Sequence, residues 1–360
     1  MEFGISKEQT LLQESVLRQL ERQAPLERVQ EIAAAAEPRA DDVWDGLCEL
    51  GIPGMVIPEQ FGGIGCSLLD AALVAETLGS RVAPVPFVAT AVMAPLALSL
   101  AGSKQQQARW LGELAEGKLV AGVAIGETVG AREEAGIVSD QSTLNGKALF
   151  VLDFEADLYV VADQNRKLFV VEADAAGLQR RLLTTIDGTR RVGELVFEDV
   201  AAELLQGSDD PEVCAKLVDA GRIVLAADTL GAASTMLTKA IEYSKSRVQF
   251  GRVIGSFQAV KHLCAEMAAE LEPCRAMMWY AAHAFDALPD ESPLVTRHTK
   301  AHLSEVGKFI ARTATEVHGG IGFTDELGLH LWFKRIGANR QLLGSPTLLR
   351  DEAAKLQQLV

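Results

Sequence analysis

Apolar positions recur at helical spacing over the first third of the chain, give way to short β-branched runs in the middle, and return at helical spacing to the end. "SKEQTLLQESVLRQLER" opens on Ser6 with Gln9 three residues later, the pair that forms a capping box. "ADDVWDGLCELG" predicts a helix that closes on Gly51 as C-cap. "DAALVAETLGSRV" and "KQQQARWLGELAEGK" predict two more, set off by the glycine-rich turn "PEQFGGIG" over 58–65. Near Lys118 the period changes. "KLVAGVAIG", "LYVVAD", "KLFVVEAD" and "GELVFEDV" read as strands, divided by "QSTLNGK" and "IDGTRR". From Pro211 the helical period resumes in a long segment, 211–247, with apolar residues on more than one face, as in a helix buried on several sides of a bundle. Three further helical segments follow, beginning at Phe257, Ser292 and Asp325. The expected architecture is α+β: a helical domain over 1–117, a β-barrel-like domain over 118–206, and a four-helix bundle over 207–360.

Composition narrows the partners. With 34 Lys plus Arg against 49 Asp plus Glu, the formal charge is −15, a surface that repels phosphate backbones and anionic lipid. Nucleic acid and membrane are therefore not expected partners, and an anionic ligand has to be met by a local cluster of cations. The five cysteines are scattered without a CxxC, which reads as reduced thiols in a cytoplasmic protein; the N-terminus does not read as a signal peptide. No internal repeat or low-complexity segment stands out.

Three places hold candidate chemistry. "SRVQFGRVIGSFQ" (246–258) puts two arginines, two phenylalanines, two glycines and two glutamines at the end of the long helical segment. Arg247 and Gln258 are either solvated helix-end residues or contacts for an anionic, flat ligand. Asp219 and Arg222 lie within that segment, in "VDAGRIVL". His298 and His302 are four apart, a possible metal spacing, but "HTKAH" has no zincin glutamate and no evident third ligand, so no metal is expected.

The order of these features resembles the acyl-CoA dehydrogenase family. The resemblance spans nearly the whole chain and rests on "WDGLCELGIPGMVIPEQFGGIG" (44–65), "SRVQFGRVIGSFQAVKH" (246–262) and "EVHGGIGFTDE" (316–326). It implies FAD bound across a subunit interface in a tetramer, with the middle domain of one chain around the flavin ring and the C-terminal bundle of its neighbour on the ADP half. By this resemblance Arg247 neutralises the pyrophosphate, Phe250 packs beside the ADP, Gln258 hydrogen-bonds to it, and Gly319 and Gly320 allow backbone N–H groups to approach. Asp219 and Arg222 match positions that line the acyl-CoA pocket of relatives. For Asp219 a recruited base, a polar pocket or capping residue, and a surface residue all remain open. Arg222 either orients the thioester region or forms a structural ion pair.

The chain also departs from the family pattern. "AIGETVGA" has Gly126 where a threonine is usual, and "NGKALFVLDFEAD" has Leu149, Phe150 and Val151 in place of a Trp-Ile-Thr strand. Glu316 stands where glutamine is common. The family chemistry removes the α-proton of an acyl-CoA thioester with a glutamate, while a hydride passes to the flavin. Twenty-four residues past Gly319, one usual place for that glutamate, lies Leu343; twenty-six residues before Arg247, the other place, lies Gly221. Three readings follow. The chain is one subunit of a hetero-oligomeric (α2β2) steroid or acyl-CoA dehydrogenase, of the kind found among actinobacteria, acting with a catalytic paralogue. Alternatively it is a homotetrameric enzyme with a displaced base, or a non-catalytic acyl-CoA or flavin-binding scaffold.

Overall fold

The structure, a computed structural model, describes residues 4–35, 40–130, 132, 134–140 and 142–360. Six α-helices open it: α1 (Lys7–Gln23), α2 (Leu26–Ala34), α3 (Asp41–Cys48), α4 (Leu68–Ser80), α5 (Ala94–Ala101) and α6 (Lys104–Ala115), with a π-helical stretch over Val88–Met93 leading into α5. Ser6 and Gln9 form both arms of the capping box at the start of α1. Helix α3 ends at Cys48, earlier than the pattern suggested. A further turn then brings Gly51 to φ 76°, where its N–H donates to the Cys48 carbonyl at 2.8 Å. The stretch over 88–101 carries no polar face, because neighbours bury it on nearly every side, and helical periodicity therefore does not reveal it.

Eight strands follow: β1 (Ala121–Ala124), β2 (Gly136–Asp140), β3 (Thr143–Leu152), β4 (Leu158–Ala162), β5 (Leu168–Glu172), β6 (Leu178–Leu182), β7 (Val192–Ala201) and β8 (Glu203–Leu204). They pair in the order β6-β7-β3-β1-β4-β5-β8, with β2 on β3. The sheet is curled and not closed, since β6 and β8 do not meet. Strands β1 and β4, its parallel pair, are buried throughout, as strands covered on both faces must be. Strand β3 is irregular near its end. Its register against β7 shifts between Ala148 and Val151, and Phe150 has φ 54°, so the pleat breaks there and Phe150 is left 39% exposed.

The C-terminal third is helical: α7 (Pro211–Ser246), α8 (Gln258–Ala287), α9 (Ser292–His318), α10 (Leu329–Gln341) and α11 (Pro346–Leu356), with a small hairpin, β9 (Val248–Gln249) and β10 (Arg252–Val253), between α7 and α8. To the four expected segments the structure adds α11, capped by Ser345. Helix α7 is the central post. Gly79 of α4 and Gly231 of α7 sit so close to the facing helix backbone that neither has room for a Cβ.

A buried polar network locks the parts together. Arg335 of α10 donates to Asp187 (2.9 Å) in the segment before β7, to Asp228 of α7 (3.1 Å), and to the Ala83 carbonyl of the N-terminal region (3.1 Å). Asn339 and Arg190 also reach Asp228. Beside this network Lys300 of α9 is buried, donating to the Asn339 carbonyl and to Ser304. Burial, with Arg222, Arg190 and Arg340 nearby and only Asp228 opposing them, brings its amine down to about 7. Unfolded, that amine titrates near 10.5. Below about pH 7 it is charged in both states, and the fold bears the cost of the buried charge. Between the two pKa values the unfolded chain holds one more proton, so stability should rise with pH by up to ~1.4 kcal/mol per unit. Lys300→Met should remove that slope, as read from denaturant unfolding at pH 7, 8 and 9. A variant with the wild-type slope would show that the amine is not the titrating group.

Candidate functional site

Two regions hold the residues singled out from the sequence. The first lies where α7 and α9 end. Tyr243, one turn before Arg247, stacks on His318, the residue before Gly319, with ring centroids 4.6 Å apart. Burial holds the His318 imidazole below its usual range, and Nδ1 lies 2.7 Å from the Ala314 carbonyl, so this nitrogen carries the proton of a neutral ring. The stack brings two helix C-termini together, each carrying partial negative charge. An anion can settle there only if a cation is added. Arg247 is exposed, and among the described residues its side chain makes no hydrogen bond or ion pair.

The β9–β10 hairpin turns on Phe250 and Gly251, with φ 52° and 75°. A tight two-residue turn matching the twist of its strands needs the left-handed region at both central positions. Glycine accepts this freely, whereas phenylalanine is strained there, and the ring is 91% exposed. Its intrachain neighbour is Phe257, edge-on at 6.1 Å, itself covered by Arg252 at 4.0 Å. Gln258 begins α8, its amide 3.4 Å from His262. Gly319 has φ 64°, and within 4 Å of where a Cβ would stand on it or on Gly320 there is no protein atom. All five residues are exposed at or near helix ends, and between them they offer a cation, a ring and bare backbone.

The second region is the cleft between the sheet and the C-terminal helices. Asp219 and Arg222 of α7 are both buried, which removes the surface reading of Asp219. Arg222 grips Glu352 of α11 with two bonds, at 2.9 and 3.0 Å, and donates through Nε to the Leu343 carbonyl at 2.9 Å. Arg297 of α9 donates to Asp219 at 3.1 and 3.2 Å and to Glu352 at 2.8 Å. Burial pushes the Asp219 carboxyl up, against the pull of Arg297 and Arg222. Two guanidiniums hold its oxygens, Oδ1 between Arg222 and Arg297 and Oδ2 by Arg297, so these ion pairs fix the orientation of the carboxylate. The sequence reading missed Arg297 and Glu352. The Arg222–Glu352 pair spans 130 positions, and no local pattern announces such a contact.

On the sheet side, Glu127 accepts from Arg132 at 2.8 Å and from the Leu149 N–H at 3.2 Å, and the Arg132 guanidinium lies 4.8 Å over the Phe150 ring. Arg132 and Phe150 border a cavity of about 180 Å³, also lined by Leu342, Leu343 and Leu348. Phe150 thus stands, under the Arg132 guanidinium, in the strand segment that departs from the Trp-Ile-Thr pattern. His298 is exposed and His302 half-buried; among the described residues no group of three or more His, Cys, Asp or Glu is arranged to hold a metal ion. Nor is any described helix long and apolar enough to cross a membrane.

Residues 6–118 match the model of the acyl-CoA dehydrogenase N-terminal domain, and residues 212–356 that of the acyl-CoA dehydrogenase C-terminal domain. The chain belongs to the acyl-CoA dehydrogenase family. It is 32% identical over 354 residues to the acyl-CoA dehydrogenase IpdE2 of Mycolicibacterium smegmatis, covering 98% of this chain and 99% of the relative. Among solved structures it is similar to a chain of the ChsE4-ChsE5 complex of Mycobacterium tuberculosis, with TM-score 0.91, 25% identity and 99% of both chains covered. It is also similar to a variant of the Tcur3481-Tcur3483 steroid ACAD, with TM-score 0.88, 28% identity and 98% of both chains covered. Acyl-CoA dehydrogenases are generally FAD-dependent oxidoreductases, and this one carries the fold's helical, curled-sheet and helical parts in order.

Proposed function

We propose that this acyl-CoA dehydrogenase is the non-catalytic subunit of a hetero-oligomer, holding the ADP half of an FAD whose ring lies in a paralogous partner. The partner supplies the glutamate that takes the α-proton from an acyl-CoA thioester. The observation that carries this reading is the contrast between the two halves. The exposed surface of Arg247, Phe250, Gln258, Gly319 and Gly320 fits a dinucleotide diphosphate, whereas on the sheet side Phe150, with the Arg132 guanidinium over its ring, stands in the segment where the family pattern has Trp-Ile-Thr. When bound, FAD supplies the hydride acceptor. The task of this chain is grip: Arg247 offsets the pyrophosphate charge beside two helix ends, Phe250 offers a face to the ADP, and the glycines leave backbone N–H groups accessible. Asp219 and Arg222 then serve the partner only indirectly, by fixing α7 against α9 and α11. The pairing of similar chains in the ChsE4-ChsE5 and Tcur3481-Tcur3483 complexes supports a tetramer of two chain types, and the steroid label on the latter supports a bulky acyl group.

Arg247→Ala tests the grip. A charge-assisted contact to pyrophosphate contributes about 1.5–3 kcal/mol, so FAD should be held roughly 10–150-fold more weakly by the purified complex. Flavin content after dialysis reads this directly. Unchanged retention would remove the half-site from this surface.

A further inference from the structure

From the packing around Gly221 we infer that Leu343 and Met93 form an internal plug, a specificity device that bars acyl groups from this chain's own cleft. The inference rests on the family reading above and deepens it. Gly221, in the middle of α7, is fully covered: a Cβ there would lie 2.5 Å from Leu343 Cδ1 and 2.8 Å from Met93 Sδ. The two side chains come from separate elements, Leu343 from the loop between α10 and α11, and Met93 from the last turn of the π-helical stretch. Leu343 also lines the 180 Å³ cavity, and so stands between that cavity and α7.

The leucine is held there against its backbone preference. It has φ 55°, a left-handed conformation unfavourable for a branched side chain, and Gly344 follows at φ 116°. The Arg222 Nε–H bond to the Leu343 carbonyl fixes the loop, and Arg222 is itself fixed by Glu352. A strained residue kept by a buried ion pair implies that its side chain matters where it lies. Its place is the apolar floor that an acyl chain would need. The cavity that remains keeps charge at one rim, at Arg132, and apolar walls at Leu342, Leu343 and Leu348.

The test compares octanoyl-CoA with free CoA on the full chain by calorimetry. Wild type should bind the two within about two-fold of each other, because the octanoyl group finds no slot. In Leu343→Ala/Met93→Ala the plug is cut back, and each methylene then moved from water into an apolar slot should tighten binding about four-fold, so octanoyl-CoA should gain at least ten-fold over CoA. A wild-type chain that already prefers octanoyl-CoA by ten-fold overturns the plug, and so does an opened variant that shows no preference. If the double variant does not fold, Leu343→Ala alone and the wild-type comparison still decide the matter. Failure here leaves the trans-flavin reading to be judged separately, by FAD retention in Arg247→Ala.

Discussion

Given an acyl-CoA and added FAD, the lone chain is expected to form no enoyl-CoA at a useful rate. The expectation rests on proton chemistry. An α-proton of a thioester leaves only to a placed base, and such a base contributes about 10²–10⁴-fold. At the two positions where the resemblance implies the family's glutamate, this chain has Gly221 and Leu343, pressed together. Asp219, the nearest acid on α7, is bonded to Arg222 and Arg297. Glu352 reaches the neighbouring cavity of about 360 Å³, but both its oxygens are held by Arg222 and one also by Arg297. Water cannot stand in for the base in a closed apolar site. Co-expression with a glutamate-bearing paralogue should bring activity, with about one FAD per pair of chains. The assay is anaerobic flavin bleaching with short, medium and steroid-type acyl-CoAs. Robust bleaching by the lone chain would sink the partner-subunit reading and make Asp219→Asn the next variant to assay.

Much of the fold could be read from hydrophobic period alone, because period follows from which face is buried. The switch near Lys118 falls between the end of α6 at Ala115 and the start of β1 at Ala121, and the return at Pro211 is the first residue of α7. Period fails where burial is total. The stretch over 88–101 is buried apart from Leu96, Ser99 and Leu100 near its end, and it contributes Met93 to the plug. The short helix α11 is a different case: Ser345 as N-cap and Pro346 at the first helical position mark its start in the sequence itself, and the four expected segments do not include it.

The two candidate regions differ in the same way. Arg247 and Phe250 lie on a hairpin whose glycine and exposed ring are local features, so a short stretch of sequence points to them. The cleft is set by long-range contacts: Arg222 to Glu352, Arg297 to Asp219, Leu343 to Gly221. Each partner is unremarkable in its own neighbourhood. Sequence shows that positions 221 and 343 carry no carboxylate; only packing shows that the two residues press on one another.

That packing makes the second prediction severe. Gly221→Glu, the simplest way to return a carboxylate to one family position, should destabilise the chain by about 1–5 kcal/mol and restore no activity. Two effects act together. The new Cβ alone would meet Leu343 Cδ1 at 2.5 Å and Met93 Sδ at 2.8 Å, so one side chain or the helix must move, and forced overpacking costs about 1–3 kcal/mol. The rest of the side chain would enter an apolar contact, where an acid without a partner costs about 1–3 kcal/mol more even after taking up a proton. Helix propensity opposes this, but replacing glycine recovers at most about 1 kcal/mol. Leu343 cannot withdraw freely, because Arg222 holds its carbonyl. Urea unfolding of wild type, Gly221→Glu and Gly221→Ala separates the contributions: alanine should show the overpacking loss alone, and glutamate the larger one. If Gly221→Glu proves as stable as wild type, Leu343 and Met93 yield easily and the cleft is not sealed by their packing. In that case adding Leu343→Ala to Gly221→Glu would change stability little; with a firm plug it should recover a large part of the loss.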